Sequence, residues 1–255
     1  MSSWALVTGA TAGIGESFTR LLAHNNYNIV LVARDLPRLK ERAIQLEATY
    51  KVQTHVIQAD LATDAGCAIV ENYIAHNQVD VLINNAGFGI NKAFTMSELD
   101  AEQQLLDVLV RTPMRLMHSA LPHMKQRNNG TIINVSSVAS FIAGGTYSAS
   151  KSYLTVLSES LHTELASTNI AICALCPGFT RTEFHQRGRM SMKGLPAFMW
   201  LNSDKLVAKA WSDAQKGKAV SIPGWQYKIL VFAIHRLPRS LVRKVGMSVR
   251  SQQRK

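Results

Sequence analysis

Thr8-Gly9-Ala10-Thr11-Ala12-Gly13-Ile14-Gly15 is the stretch whose reading decides the fold of this chain. It follows a short apolar run, Trp4 to Thr8, and leads into Ile14 to His24, where Phe18, Leu21 and Leu22 recur at helical spacing. Glycines placed between a strand and a helix permit a tight turn and the close approach of a phosphate. The helix N-terminus adds free N–H groups and the positive end of its dipole. Alone, such a pattern is weak, because a glycine-rich turn can be only a turn. Its position between the first strand and the first helix gives it weight.

Outward from that turn the alternation continues. Strands are expected at Asn28 to Ala33, Val52 to Ala59, Val79 to Ile83, Thr131 to Val135 and Ile170 to Leu175, with a last one at Ala219 to Ile222. Between them fall helical stretches at Leu36 to Ala48, Thr63 to His76, Glu98 to Gln126 (interrupted at Pro113) and about Ser148 to Ser167. Alternating units of this length predict an α/β fold: a single Rossmann-type, doubly wound parallel sheet with helices on both faces. Ligands are then expected at the carboxyl ends of the strands. With no repeat or linker before residue 214, residues 1–224 read as one domain and 225–255 as a basic C-terminal tail.

Composition agrees with a folded protein. Of 255 residues, 47% are apolar and 18% charged, and no run is long and apolar enough for a membrane span. The N-terminus lacks the features of a secretory signal, so a cytoplasmic location is the expectation. Three cysteines do not make a disulfide framework. Cys173 and Cys176 form a C-x-x-C, but inside a strand rather than at a helix N-terminus, and they read as core residues. No metal site is expected. The net charge of +11 is uneven: up to Asp213 there are 18 basic and 17 acidic side chains, and beyond it 10 basic ones and no acid.

The spacing T-G-x-x-x-G-x-G resembles that of the short-chain dehydrogenase/reductase family, and further matches follow in the family's order. Asp60-Leu61 follows the third strand, Asn84-Asn85-Ala86-Gly87 the fourth, Tyr147-Ser-Ala-Ser-Lys151 is similar to Y-x-x-x-K, and Pro177-Gly178-Phe-Thr180-Arg-Thr182 to P-G-x-x-x-T. The resemblance implies a nicotinamide cofactor. Gly9, Thr11, Gly13, Ile14 and Gly15 would border its pyrophosphate, and Asp60 and Leu61 its adenine. Asn85, Ala86 and Gly87 would line it. Tyr147 and Lys151 would meet the nicotinamide ribose, and Pro177, Gly178, Thr180 and Thr182 the nicotinamide end. An acidic side chain ending the second strand would favour NAD. This chain has Arg34 there, with Arg38 one turn on, and a guanidinium suits a 2′-phosphate, so NADP(H) is expected.

Tyr147 and Lys151, four apart, share a helix face. A tyrosine is too weak an acid for neutral pH unless a nearby ammonium favours its phenolate. The resemblance makes Tyr147 the group that exchanges the proton of the alcohol or carbonyl oxygen, with Lys151 and Ser137 beside it. The alternative serine is Ser136, since adjacent strand residues face opposite ways and the loop to Tyr147 is shorter than the family's. Where the family commonly carries an asparagine that holds a relay water, this chain has Leu109.

The segment from about 178 to 204 is apolar for a loop, with Phe179, Phe184, Met190, Met192, Leu195, Phe198, Met199 and Trp200. It reads either as a specificity loop over a lipophilic substrate or as packing against the core or another subunit. In the tail, Leu241, Val242 and Val245 recur at helical spacing opposite basic positions. That pattern reads either as attachment to an anionic membrane surface or as a helix packing across a homo-oligomer. No nucleic-acid recognition motif accompanies the charge. The competing function is a non-catalytic NADP(H)-binding sensor or scaffold. A methyltransferase on a similar sheet is a third reading, but it would not require Tyr147 with Lys151.

Overall fold

The computed structural model describes residues 3–184, 195–244 and 246. Its strands are β1 (Trp4–Thr8), β2 (Asn28–Ala33), β3 (Thr54–Gln58), β4 (Val81–Asn84), β5 (Gly130–Val135), β6 (Ile170–Leu175) and β7 (Val220–Ser221). They form one seven-stranded sheet in the order β3-β2-β1-β4-β5-β6-β7, and every pair is parallel. The chain begins at β1, winds out to β3, then crosses back to place β4 on the other side of β1. This reversal opens a crevice at the carboxyl ends of β1 and β4, where an open α/β sheet takes its ligand.

The helices are α1 (Gly13–His24), α2 (Leu36–Tyr50), α3 (Asp64–His76), α4 (Leu99–Leu106), α5 (Thr112–Arg127), α6 (Thr146–Glu164), α7 (Ser203–Gln215) and α8 (Trp225–Arg236). Strand side chains alternate between two cores. Ala5 and Val7 join Phe18 and Leu22 of α1, Leu39 of α2 and Val207 of α7 on one face. Leu6 turns the other way to meet Val70 of α3, Leu116 of α5 and Leu154 of α6. A side chain such as Phe18 or Leu82, removed from water completely, contributes about 1.5–3 kcal/mol. The sheet is thereby a rigid base for the loops at its carboxyl edge.

The interruption expected at Pro113 is a change of winding one turn earlier, not a break. Pro113 follows within one helical run that is unbroken from α4 into α5, and its missing N–H leaves a carbonyl of the preceding turn without its helical donor. The change is a π-helical turn, Asp107–Arg111, in which Leu109 is buried. Arg111 closes it by pairing with Asp107 at 3.2 Å and with Asp64 at 2.9 Å. The three cysteines are unpaired and buried, and burial pushes the Cys173 thiol up to about 12. Among the described residues no helix is long and apolar enough to cross a membrane, and no group of side chains could hold a metal ion.

Past residue 224 the chain turns at once into α8. Tyr227 is fully buried: its hydroxyl accepts from the Phe179 N–H at 2.9 Å and donates to the Met199 carbonyl at 2.6 Å. After Pro238 a helical stretch covers 239–244, with Val242 buried and Leu241 exposed. Val245, Met190 and Met192 lie outside the described residues.

Candidate active site

The phosphate turn is built by contacts as well as dihedrals. Gly9 and Gly13 take φ of +65° and +59°, which favours glycine. A Cβ on Gly15 would lie 2.2 Å from the Gly9 carbonyl oxygen, so helix and turn approach too closely for any other residue. α1 begins without a side-chain cap at Ala12, which leaves its first N–H groups to an anion. Thr8 Oγ1 accepts from the N–H of Asn85 and of Ala86, and Asn85 Nδ2 donates to the Thr8 carbonyl at 2.8 Å. Asn85 thus ties the end of β4 to the end of β1 and holds the two walls of the crevice together.

Further along the edge, Asp35 caps α2 by accepting from the Arg38 N–H at 3.1 Å. The Arg38 guanidinium bonds Glu183 at 3.2 Å, beside Thr182. Arg34 follows β2 exposed, and no described carboxylate pairs with it. Asp60 Oδ1 accepts from the Ala62 N–H at 3.1 Å, next to buried Leu61. These residues fit a dinucleotide phosphorylated on its ribose: a backbone cradle for the pyrophosphate and an unclaimed guanidinium where β2 ends.

At the other end of the crevice α6 starts at Thr146, two residues earlier than its apolar pattern suggests, so Tyr147 lies in its first turn. Lys151 is one turn on and wholly buried, its Nζ 5.8 Å from the centroid of the Tyr147 ring. Nζ donates to the Val135 carbonyl at 2.6 Å, and among the described residues that is the one oxygen it reaches. Burial pushes its pKa down to about 8. Ammonium has three donors, so the remaining N–H groups suit hydroxyls brought in by a ligand.

Both serines follow the end of β5 rather than forming it, and they face apart. Ser136 Oγ turns into α6, donating to the Lys151 carbonyl at 2.8 Å and accepting from Thr155 Oγ1 at 2.7 Å. Ser137 Oγ stays outside that network and accepts from the Ala139 N–H at 3.1 Å. Leu109 fills a gap: a Cβ on Gly87 would lie 2.8 Å from its Cδ2 and 3.9 Å from Lys151 Nζ. Leu105, Val108 and Leu109 form a small apolar cluster, against which Phe88, Ile90 and Tyr147 pack.

One residue of the site carried no sequence signal. A small cavity of about 10 Å³, room for roughly one water, is lined by Ile90, Lys92, Phe94, Glu102, Leu105 and Tyr147. Glu102 is buried; its Oε1 accepts from Ser97 Oγ at 2.6 Å, and its Oε2 meets no described partner. An acidic residue in the first turn of a helix reads from sequence as a partner of the helix dipole, and nothing in the spacing connects it to Tyr147. A wider, open depression of about 760 Å³, lined by Trp4, Glu47, Thr54 and His55 among others, lies at the amino ends of β1 and β3, away from these groups.

After β6 the described residues up to Phe184 border the crevice. Gly178 lies flat on Tyr227, where a Cβ would come 2.0 Å from Cζ, and Thr180 Oγ1 donates to the Gly178 carbonyl at 3.0 Å. Thr182 packs on Gly13, across from the phosphate turn. The Phe184 ring lies 6.1 Å from that of Tyr147, and the Phe179 ring 6.3 Å from that of Trp200.

A doubly wound sheet with a glycine turn at its switch point and a tyrosine–lysine pair across the crevice defines a nucleotide-binding oxidoreductase. The chain belongs to the short-chain dehydrogenase/reductase family: the family model described as short chain dehydrogenase matches residues 3–192. It is 31% identical over 243 residues to hydroxysteroid dehydrogenase-like protein 1 of Gallus gallus, covering 92% of this chain and 72% of that one. A short-chain dehydrogenase from Sphingobium yanoikuyae in complex with NADPH superposes with a TM-score of 0.83 at 30% identity, over 92% of this chain and 94% of that one. The bulky-bulky ketone specific alcohol dehydrogenase from Comamonas testosteroni superposes with a TM-score of 0.80 at 30% identity, over 92% of each.

Proposed function

We propose that this protein is an NADP(H)-dependent oxidoreductase that interconverts a lipophilic carbonyl compound and its alcohol, with Tyr147 as acid/base. The observation that carries the reading is Lys151, buried one turn from Tyr147 with donors to spare. The glycine turn and Arg34 would hold the cofactor, which would supply hydride chemistry at the nicotinamide end of the crevice. Tyr147 delivers a proton to the carbonyl oxygen in reduction and removes it in oxidation. Lys151 favours negative charge on the phenol oxygen as the proton leaves. Ser137, whose hydroxyl stays outside the α6 network, donates to the same substrate oxygen and orients it. Phe179, Phe184 and Trp200 exclude water from the reacting end.

Lipophilic substrates are favoured by the apolar walls of the crevice and by the two relatives named for hydroxysteroids and bulky ketones. NADP(H) over NAD(H) is favoured by Arg34 and by the NADPH-bound relative. Loss of reduced-nicotinamide absorbance, followed with NADPH and NADH against a panel of lipophilic aldehydes and ketones, tests the reading. NADPH-dependent turnover that falls about 10²–10⁴-fold in Tyr147→Phe is expected, the usual contribution of a positioned acid/base. Tight NADPH binding with no turnover across the panel would overturn it. Leu109, closing the space between Gly87 and Lys151, favours a second reading on that outcome: a non-catalytic NADP(H)-binding sensor.

A further inference from the structure

Helix α8 is apolar on two opposite sides. Tyr227, Val231 and Ile234 are buried against the domain. Roughly half a turn around, Trp225, Ile229 and Phe232 stand in solvent, 68%, 60% and 61% exposed. Their spacing of four and then three residues makes one continuous stripe. The outer face of this helix is aromatic and aliphatic, and basic groups flank it. Lys228 lies beside the stripe, the Arg236 guanidinium covers the Phe232 ring at 4.7 Å from its centroid, and Arg239, Arg243 and Lys244 follow, all exposed. Leu237 and Leu241 extend the apolar surface past Pro238.

We propose that this outer face docks on an anionic lipid bilayer, with Trp225, Ile229 and Phe232 seated among the headgroups and the flanking lysine and arginines against lipid phosphates. Two observations select this occupant. Large exposed aromatics beside arginines match the boundary between hydrocarbon and water. The charge opposes the main rival, a second copy of the same face. Lys228, Arg236, Arg239, Arg243 and Lys244 are exposed on or beside it, and beyond Asp213 the chain carries no acid, so two such faces would bring like charges together. A surface of anionic lipid is the complement, and it attracts each basic residue separately. The inner face of the same helix holds Phe179 and Met199 through the Tyr227 hydroxyl. Docking would thus set the loop over Tyr147 at the lipid boundary.

The test is sedimentation of the full chain with vesicles of neutral phosphatidylcholine and of phosphatidylcholine mixed with phosphatidylserine. The wild type pellets with the anionic vesicles and releases as salt is raised. The double variant Trp225→Ala, Phe232→Ala keeps every basic residue, and its partitioning falls at least about tenfold from lost apolar burial. NADPH binding of the variant, unchanged, shows that the domain is intact. Equal partitioning of variant and wild type would overturn the proposal, as would a wild type that ignores anionic vesicles. So would a wild-type dimer in light scattering that becomes monomeric in the variant, because the face would then be covered by a second copy.

Discussion

Lys151 is the residue where folding and chemistry pull apart. Its ammonium is buried with one oxygen in reach, and burial lowers its pKa to about 8 from an unfolded value near 10.5. Lys151→Met keeps the stem and removes the charge, so it is expected to raise Tm by a few degrees, about 2–4 °C for each kcal/mol gained, while turnover is lost. The sign with pH is fixed by the lowered value. Between about 8 and 10.5 the unfolded chain holds the proton more tightly than the folded one, so the wild type gains stability as pH rises through that window. The advantage of the variant in thermal unfolding is therefore largest below pH 8 and shrinks above it. The serines separate by another measurement. Ser137→Ala lowers kcat and, by losing its bond to the Ala139 N–H, stability by about 0.5–2 kcal/mol, whereas Ser136→Ala leaves the Thr155 hydroxyl and the Lys151 carbonyl without their shared partner and lowers stability by about 1–3 kcal/mol.

Among the elements, α8 and the loop it holds stand or fall together. Tyr227→Phe deprives the Phe179 N–H and the Met199 carbonyl of their partner, at an expected cost of about 1–3 kcal/mol. Proteolysis of the loop should accelerate in that variant while NADPH binding persists. Gly178→Ala drives a methyl into the Tyr227 ring and is expected to be the more damaging. The sequence was informative where an element's own pattern decides it. β2 and β6 have the bounds that their apolar runs announce, and the glycine turn, Asn85, Tyr147 and Lys151 all fall along the carboxyl edge of the sheet. It was uninformative where a distant packing partner decides. The helical region expected to be interrupted at Pro113 runs on through a π-helical turn just before it, where Leu109 is buried and Arg111 pairs with Asp107. Glu102 reaches the cavity beside Tyr147 only because α4 lies across it, and the double face of α8 exists only because Gly178 leaves room for Tyr227.

For the whole molecule, a proposed homo-oligomer has a surface to use. Met114 of α5 and Tyr153 and Val156 of α6 are exposed neighbours, the Tyr153 hydroxyl lying 3.3 Å from the Met114 sulfur. Val156→Glu is expected to yield a monomer in light scattering with secondary structure unchanged, and an unaltered mass would remove this face from consideration. The order of the strands has a consequence of a different kind. Synthesis delivers β1 first, at the middle of the sheet, and each later strand finds its neighbour already made: β2 on β1, β3 on β2, then β4 on the free side of β1 and β5, β6 and β7 in succession. A nascent chain can therefore grow its sheet outward from both sides of a finished centre, with no strand waiting at the ribosome for a partner still to be translated. Helix α8, which holds Phe179 and Met199 through Tyr227, emerges after every strand, so a ribosome-bound chain would complete its nucleotide cradle before those residues are fastened.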